Sequence, residues 1–174
     1  MLKIRFFTLG QYPQEEKWLE EMAAQGLIIQ KSILPCFYIF KKEKPQNLIY
    51  RYDFVAGEND RQERISFYEE YGWKYVTGMN DFMLFVHNAE DASAKDLDIF
   101  SSDQSREEMI IRILKKRMLP LGLVFLLMVM ICLYLWLSQA GFDTRIIFLC
   151  CTLIVGFVGL SCLIQLLELK KKFS

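Results

Sequence analysis

Catalysis needs a nucleophile or a general base within reach of a partner, and this chain supplies few. Outside the apolar stretches, the side chains whose types suit such work are Cys36, Asp53, Glu69, Glu70 and His87. His87 is the single histidine. It falls at the end of a predicted strand beside a polar segment, where an ordinary surface role is expected. A nucleophile activated by its imidazole would need a third, orienting group, and no spacing provides one. There is no CxxC pair, no His-rich cluster, and no HExxH, GxSxG, P-loop or glycine-rich phosphate-binding pattern. The expectation is a protein that is not an enzyme, with no cofactor and no metal.

Binding chemistry is better supplied. Arg51 and Asp53 stand two apart, which puts both on one face of a strand. They suit an exposed ion-pair network, or a polar anchor for a ligand or partner. Around them, Trp18, Phe37, Tyr38, Phe40, Tyr50, Tyr52, Phe54, Tyr68, Trp73, Tyr75, Phe82 and Phe85 crowd into one small domain. Most of these rings must be core, because aromatics bury large areas. Any surplus on an open sheet face would line an apolar cleft or an interface. The candidate partner or ligand surface is therefore Trp18, Tyr50, Arg51, Tyr52, Asp53 and Trp73.

The elements that must position these residues follow from pattern. Residues 3–8 (KIRFFT) read as a short strand. Pro13 opens a helix with Glu15 and Glu16 in its first turn, Trp18, Leu19, Met22 and Ala23 on one face, and Gly26 as its stop. Two strands follow, around Leu34 and Pro35. Leu48–Phe54 (LIYRYDF) alternates clearly. Asn59 or Asp60 caps a second helix carrying Ile65 and Tyr68, which Gly72 stops, and two more strands end at His87. The halves read alike: Gly26-Leu27 corresponds to Gly72-Trp73, and Phe37-Tyr38-Ile39-Phe40 to Phe82-Met83-Leu84-Phe85. The expected fold is α+β: a duplicated βαββ unit, ferredoxin-like or related, giving one mainly antiparallel sheet with two helices on one face.

Beyond that domain the composition changes. Leu119–Leu137 and residues 146–167 hold no charged side chain, and each is long enough for a hydrocarbon core of ~30 Å. Neither keeps the polar stripe of a soluble core helix. Lys115, Lys116 and Arg117 precede the first run, and Lys170, Lys171 and Lys172 follow the second, whereas Arg145 and Asp143 share the loop between. Basic flanks stay on the cytoplasmic side, so the expectation is a multi-pass protein of the inner (plasma) membrane with both termini cytoplasmic. The parts are an α+β cytoplasmic domain at 1–88, a polar linker at 89–105, and an amphipathic juxtamembrane helix at 106–118. A first span at 119–140, a short external loop at 141–145, a second span at 146–167 and a basic tail at 168–174 complete the chain. The spans carry no ionisable group for an ion path.

Charge and cysteine use narrow the partners. Of 21 basic and 21 acidic residues, 12 basic and 17 acidic lie in residues 1–105, a formal −5. Such a domain is not expected to bind nucleic acid directly, nor to lie flat on an anionic leaflet. Four of the five cysteines (Cys132, Cys150, Cys151 and Cys162) fall in the spans, which excludes a disulfide framework.

The run Trp18-Leu19-Glu20-Glu21-Met22-Ala23-Ala24-Gln25-Gly26, the strand FYIFKK at 37–42, Tyr50-Arg51-Tyr52-Asp53, Tyr71-Gly72-Trp73 and Asp98-Ile99-Phe100-Ser101 resemble a bacterial membrane-protein family. That family carries domain of unknown function 2812 (DUF2812). The resemblance covers about residues 1–105. It implies a gene often placed beside a PadR-like transcriptional regulator, and so a regulatory or envelope-stress role with a PadR-like protein as partner. From the residues themselves the expectation is a membrane-anchored interaction module, with the lipid bilayer and an unidentified protein as partners. The alternative is a sensor that takes an apolar or cationic small molecule in an aromatic cleft.

Overall fold

Glycines placed just past two helices set the rhythm of the first half of the chain. The computed structural model describes residues 1–33, 36–55, 59–79, 81–90, 99, 103–138 and 141–173. It divides into two compact units, Met1–Met109 and Ile110–Ser174.

In the first unit the strands are β1 (Leu2–Ile4), β2 (Leu27–Ile33), β3 (Phe37–Lys42), β4 (Leu48–Phe54), β5 (Lys74–Met79) and β6 (Phe82–Asn88). Helix α1 (Tyr12–Ala24) lies between β1 and β2, and α2 (Asn59–Glu70) between β4 and β5. The strands form two antiparallel sheets of three, ordered β1-β3-β2 and β4-β6-β5. Each half is therefore a βαββ unit with its last strand in the centre.

The likeness of the halves extends to detail. Gly26 and Gly72 both adopt positive φ, +78° and +82°, as the residue that ends each helix. A Cβ at Gly26 would stand 2.5 Å from the Glu43 carbonyl oxygen, and one at Gly72 would stand 2.9 Å from His87 Nε2. An L side chain is strained at that φ and has no room at either place. Each β2-like strand also carries one bulge. It falls between Ile29 and Lys31 in β2 and between Tyr75 and Thr77 in β5, four residues past the glycine in both.

One expectation is corrected by this topology. The six strands make two separate ladders, and the helices do not share one face of a single sheet. Helix α1 packs on β2 and β4, while α2 packs on β5. Strands β2 and β5 run beside each other as the outer strands of their sheets, and the bulge in each interrupts the even row of N–H and C=O groups that a continuous ladder needs.

Two groups of buried side chains matter for the site. Phe7, Trp18, Tyr38 and Phe40 stack edge-to-face or tilted around α1, at centroid distances from 4.9 to 6.4 Å. Ile49, Val55, Tyr68, Trp73, Met83, Phe85 and Ile99 form the second group. Ile99 thus packs inside the domain, although residues 89–105 read as a linker from composition; residues 91–98 and 100–102 lie outside the described set.

The second unit holds two long apolar helices. α3 (Asp103–Ile113) is followed without a break by a wide π-type turn at Leu114–Met118 and then by α4 (Leu119–Leu137). The turn has a local cause. Pro120 has no N–H to bond the Lys116 carbonyl, and its ring would crowd that carbonyl in a regular helix. The chain widens instead, and the Leu119 N–H donates to the Leu114 carbonyl five residues back. α5 (Phe142–Phe173) takes in most of the expected loop and basic tail as helix. Helices α4 and α5 pack antiparallel: Phe125 lies over Gly156, and Leu121 over Gly159. Many of their other apolar side chains, Leu126, Met130, Leu133, Leu153 and Phe157 among them, point outward, while Cys132, Cys162 and Leu166 are buried. Both helices are long and apolar enough to cross a membrane.

Candidate functional site

The richest polar chemistry among the described residues lies where α1 meets the outer edge of β4. Strand β4 pairs with β6 on one side only, so the amides of Tyr50 and Tyr52 on its other side have no strand partner. Two carboxylates on α1 meet them. The Tyr52 N–H donates to Glu16 Oε1 at 2.7 Å, and the Tyr50 N–H donates to Glu20 Oε1 at 3.3 Å. The match is geometric. Four helical residues rise ~6 Å and two strand residues rise ~6.8 Å, so an i, i+4 carboxylate pair spans an i, i+2 amide pair. Arg51 joins this seam by donating from Nη1 to Glu20 Oε1 at 2.7 Å and to the Tyr50 carbonyl at 2.6 Å.

One residue earlier on α1, Glu15 turns toward the first aromatic group. Its Oε1 accepts both the Tyr52 hydroxyl, at 2.6 Å, and the Tyr38 hydroxyl, at 2.8 Å. Burial pushes the Glu15 carboxyl above the ordinary range, and the two phenol hydrogen bonds offset only part of that. The same burial, reinforced by the carboxylate, holds the Tyr38 and Tyr52 phenols well above the usual tyrosine range. Tyr50 is pushed up to about 12, chiefly by burial. The Arg5 guanidinium lies over the Phe7 and Trp18 rings, 5.1 and 5.3 Å from their centroids. The arrangement is an aromatic and acidic surround that already receives a cation from its own chain.

The six residues expected to form a partner or ligand surface are placed differently. Trp18, Tyr50, Tyr52, Asp53 and Trp73 are buried, and only Arg51 is half-exposed. Trp18, Tyr50, Arg51 and Tyr52 come together at the α1 seam; Asp53 and Trp73 belong with α2. Arg51 and Asp53 do not form an exposed pair. Asp53 is fully enclosed, where it accepts from the Phe54 N–H at 2.7 Å and the Tyr68 hydroxyl at 3.1 Å, with Arg64 Nε 3.9 Å away. Burial also pushes the Tyr68 phenol up, and the Asp53 charge adds to it.

His87 is not a surface residue either. It is buried, its ring stands 5.2 Å from that of Trp73, and Nδ1 lies 2.8 Å from the Asn88 carbonyl, which requires the proton on Nδ1. Cys36 is half-buried beside β3, in the other sheet. No cluster of three His, Cys, Asp or Glu side chains suited to a metal occurs among the described residues. Lys115, Lys116 and Arg117 ride on the wide turn, and Lys170, Lys171 and Lys172 on the last turn of α5.

Sequence reasoning missed Glu16, Glu20 and Arg5. Glu15 and Glu16 read as dipole partners of a helix start. The available signal was the i, i+4 spacing of Glu16 and Glu20 opposite a strand with aromatic residues at every second place.

Residues 11–122 match the model of a family described as protein of unknown function, DUF2812. No curated protein and no solved structure matches the chain.

Proposed function

We propose that this chain, which belongs to the DUF2812 family, is a membrane-anchored regulatory module whose α+β domain engages another protein at the cytoplasmic face of the inner membrane. The observation that carries this reading is the division of labour between the units. Helices α4 and α5 turn most of their apolar side chains outward, as a bilayer demands, while the domain turns most of its aromatic residues inward. The basic groups at 115–117 and 170–172 support a reading with both ends of the hairpin on the cytoplasmic side. A PadR-like regulator is the partner that family resemblance supplies, in an envelope or stress response.

The test is purification of the full-length protein from native membranes with quantitative mass spectrometry, beside a version lacking residues 1–105. A soluble protein that is retained by the first and lost from the second supports the module. Recovery of the same proteins with both versions counts against it.

One observation favours the sensor as a second reading. Arg5 already lies across Trp18 and Phe7 beside the Tyr38–Glu15 pair, and a small cation would compete for that place. A rise in melting temperature with a quaternary ammonium compound, abolished by Trp18→Leu, is the outcome this reading requires.

A further inference from the structure

Register defines the outer face of the β1-β3-β2 sheet. Residues directly opposite in an antiparallel pair share a face. Ile4 stands opposite Phe37, and Phe37 opposite Ile33. In the next row Leu2 stands opposite Ile39, and Ile39 opposite Lys31. In the third, Lys41 stands opposite Ile28. The opposite face carries Tyr38 and Phe40, which are buried against Trp18 of α1. The outer face is open: Ile4 is 70%, Leu2 56% and Ile33 44% exposed, and Phe6, just past β1, is 67% exposed.

Charge on this sheet runs against the domain average. Residues 1–8, β2 and β3 carry Lys3, Arg5, Lys31, Lys41 and Lys42 and no acidic residue. The acidic excess lies elsewhere, with Glu15, Glu16, Glu20 and Glu21 on α1 alone. The net −5 thus conceals a sheet whose charged residues are all basic, and Lys31 and Lys41 lie on its outer face.

We propose that the outer face of the β1-β3-β2 sheet docks on an anionic bilayer surface. Leu2, Ile4, Phe6 and Ile33 enter the boundary between headgroups and acyl chains, and Lys31 and Lys41 reach the lipid phosphates. Lys41 also pairs with exposed Glu43 at 2.8 Å, a contact that a phosphate can replace. Charge selects lipid as the occupant: the apolar row of Ile4, Phe37 and Ile33 gives way to rows that carry Lys31 and Lys41, the complement of an anionic interface. The inference rests on the membrane-anchored reading, which holds the face near lipid at high effective concentration.

The experiment places the photo-crosslinking analogue p-benzoylphenylalanine at Phe6 in the full-length protein, reconstituted in vesicles with or without phosphatidylglycerol. Phe67 on α2, which is 47% exposed, is the control position. Phe6 is exposed, so the exchange leaves the core intact, and circular dichroism verifies the fold. The expected result is a lipid adduct at position 6 that falls about tenfold in purely zwitterionic vesicles or with Lys31→Glu, and a much weaker adduct at position 67. No lipid adduct at position 6, an adduct to a second copy, or equal adducts at both positions overturns the proposal. Flotation after a carbonate wash is read on the same samples. Protein that fails to float overturns the anchored reading itself, whereas protein that floats without an adduct overturns only the docking.

Discussion

Glu16 Oε1 accepts the Tyr52 amide hydrogen at 2.7 Å, so a helix carboxylate completes the backbone bonding of a strand edge. Side-chain acceptors rarely stand in for a strand. Here the substitution closes the edge of β4 to other chains and fixes α1 along it.

Removing that acceptor leaves a buried N–H with nothing to bond. Glu16→Ala is expected to cost about 1–3 kcal/mol of stability, and Glu16→Gln, which keeps an acceptor oxygen, clearly less. Denaturant unfolding of the full-length protein in detergent, followed by near-UV circular dichroism of the aromatic groups, measures both.

Glu15 makes stability depend on pH in a definite direction. Its folded pKa lies above the ordinary 4.5, so the folded state holds its proton more tightly than the unfolded chain does. The stability this contributes is complete below the unfolded value. It is lost as pH rises from there through the folded value. Melting temperature should therefore fall as pH is raised through the mildly acidic range. In Glu15→Gln, which is uncharged throughout, this component of the fall should disappear.

The buried phenols predict an alkaline signature. Burial pushes Tyr50 up to about 12, and Tyr38, Tyr52 and Tyr68 are held above the usual range as well. In an ultraviolet titration of the folded protein, these four of the eight tyrosines should stay un-ionised at pH 11. Their folded pKa values are raised, so their contribution to stability is present below about 10 and is lost above it. Full ionisation should coincide with unfolding, and Tyr50→Phe should remove one phenol from the late group.

Two glycines in the second unit should respond oppositely to a methyl group. A Cβ at Gly156 would meet Phe125 Cε2 at 2.8 Å, whereas one at Gly122 meets nothing within 4 Å. Gly156→Ala should loosen the α4–α5 pair by about 1–3 kcal/mol. Gly122→Ala should be neutral or stabilising, since Ala is the better helix former. Unfolding in mixed micelles of rising sodium dodecyl sulfate content compares the two.

Local signals made the βαββ repeat legible. Gly26 and Gly72 mark helix ends because no other residue fits there, and alternation in Leu48–Phe54 marks a strand although both its faces are packed. The burial of Asp53 and His87 was not legible. Their neighbours Tyr68 and Trp73 arrive from distant parts of the chain, and nothing in the spacing of Arg51 and Asp53 tells that α2 covers one of them. The division into two sheets was hidden for a similar reason, since strand pairing is decided between distant parts of the chain. Net charge averages over faces: four glutamates on one helix outweigh the lysines of a neighbouring sheet.

The wide turn at Leu114–Met118 bears on how relatives of this chain should be compared. It adds one residue to the helical count just ahead of Pro120. An apolar stripe followed down α3 at regular spacing therefore re-emerges on α4 displaced by about 100°. A relative without the proline has no need of the extra residue, so its alignment with this chain should carry a one-residue deletion between 114 and 118. An ungapped alignment through that stretch would assign the wrong face of α4 to the helix pair.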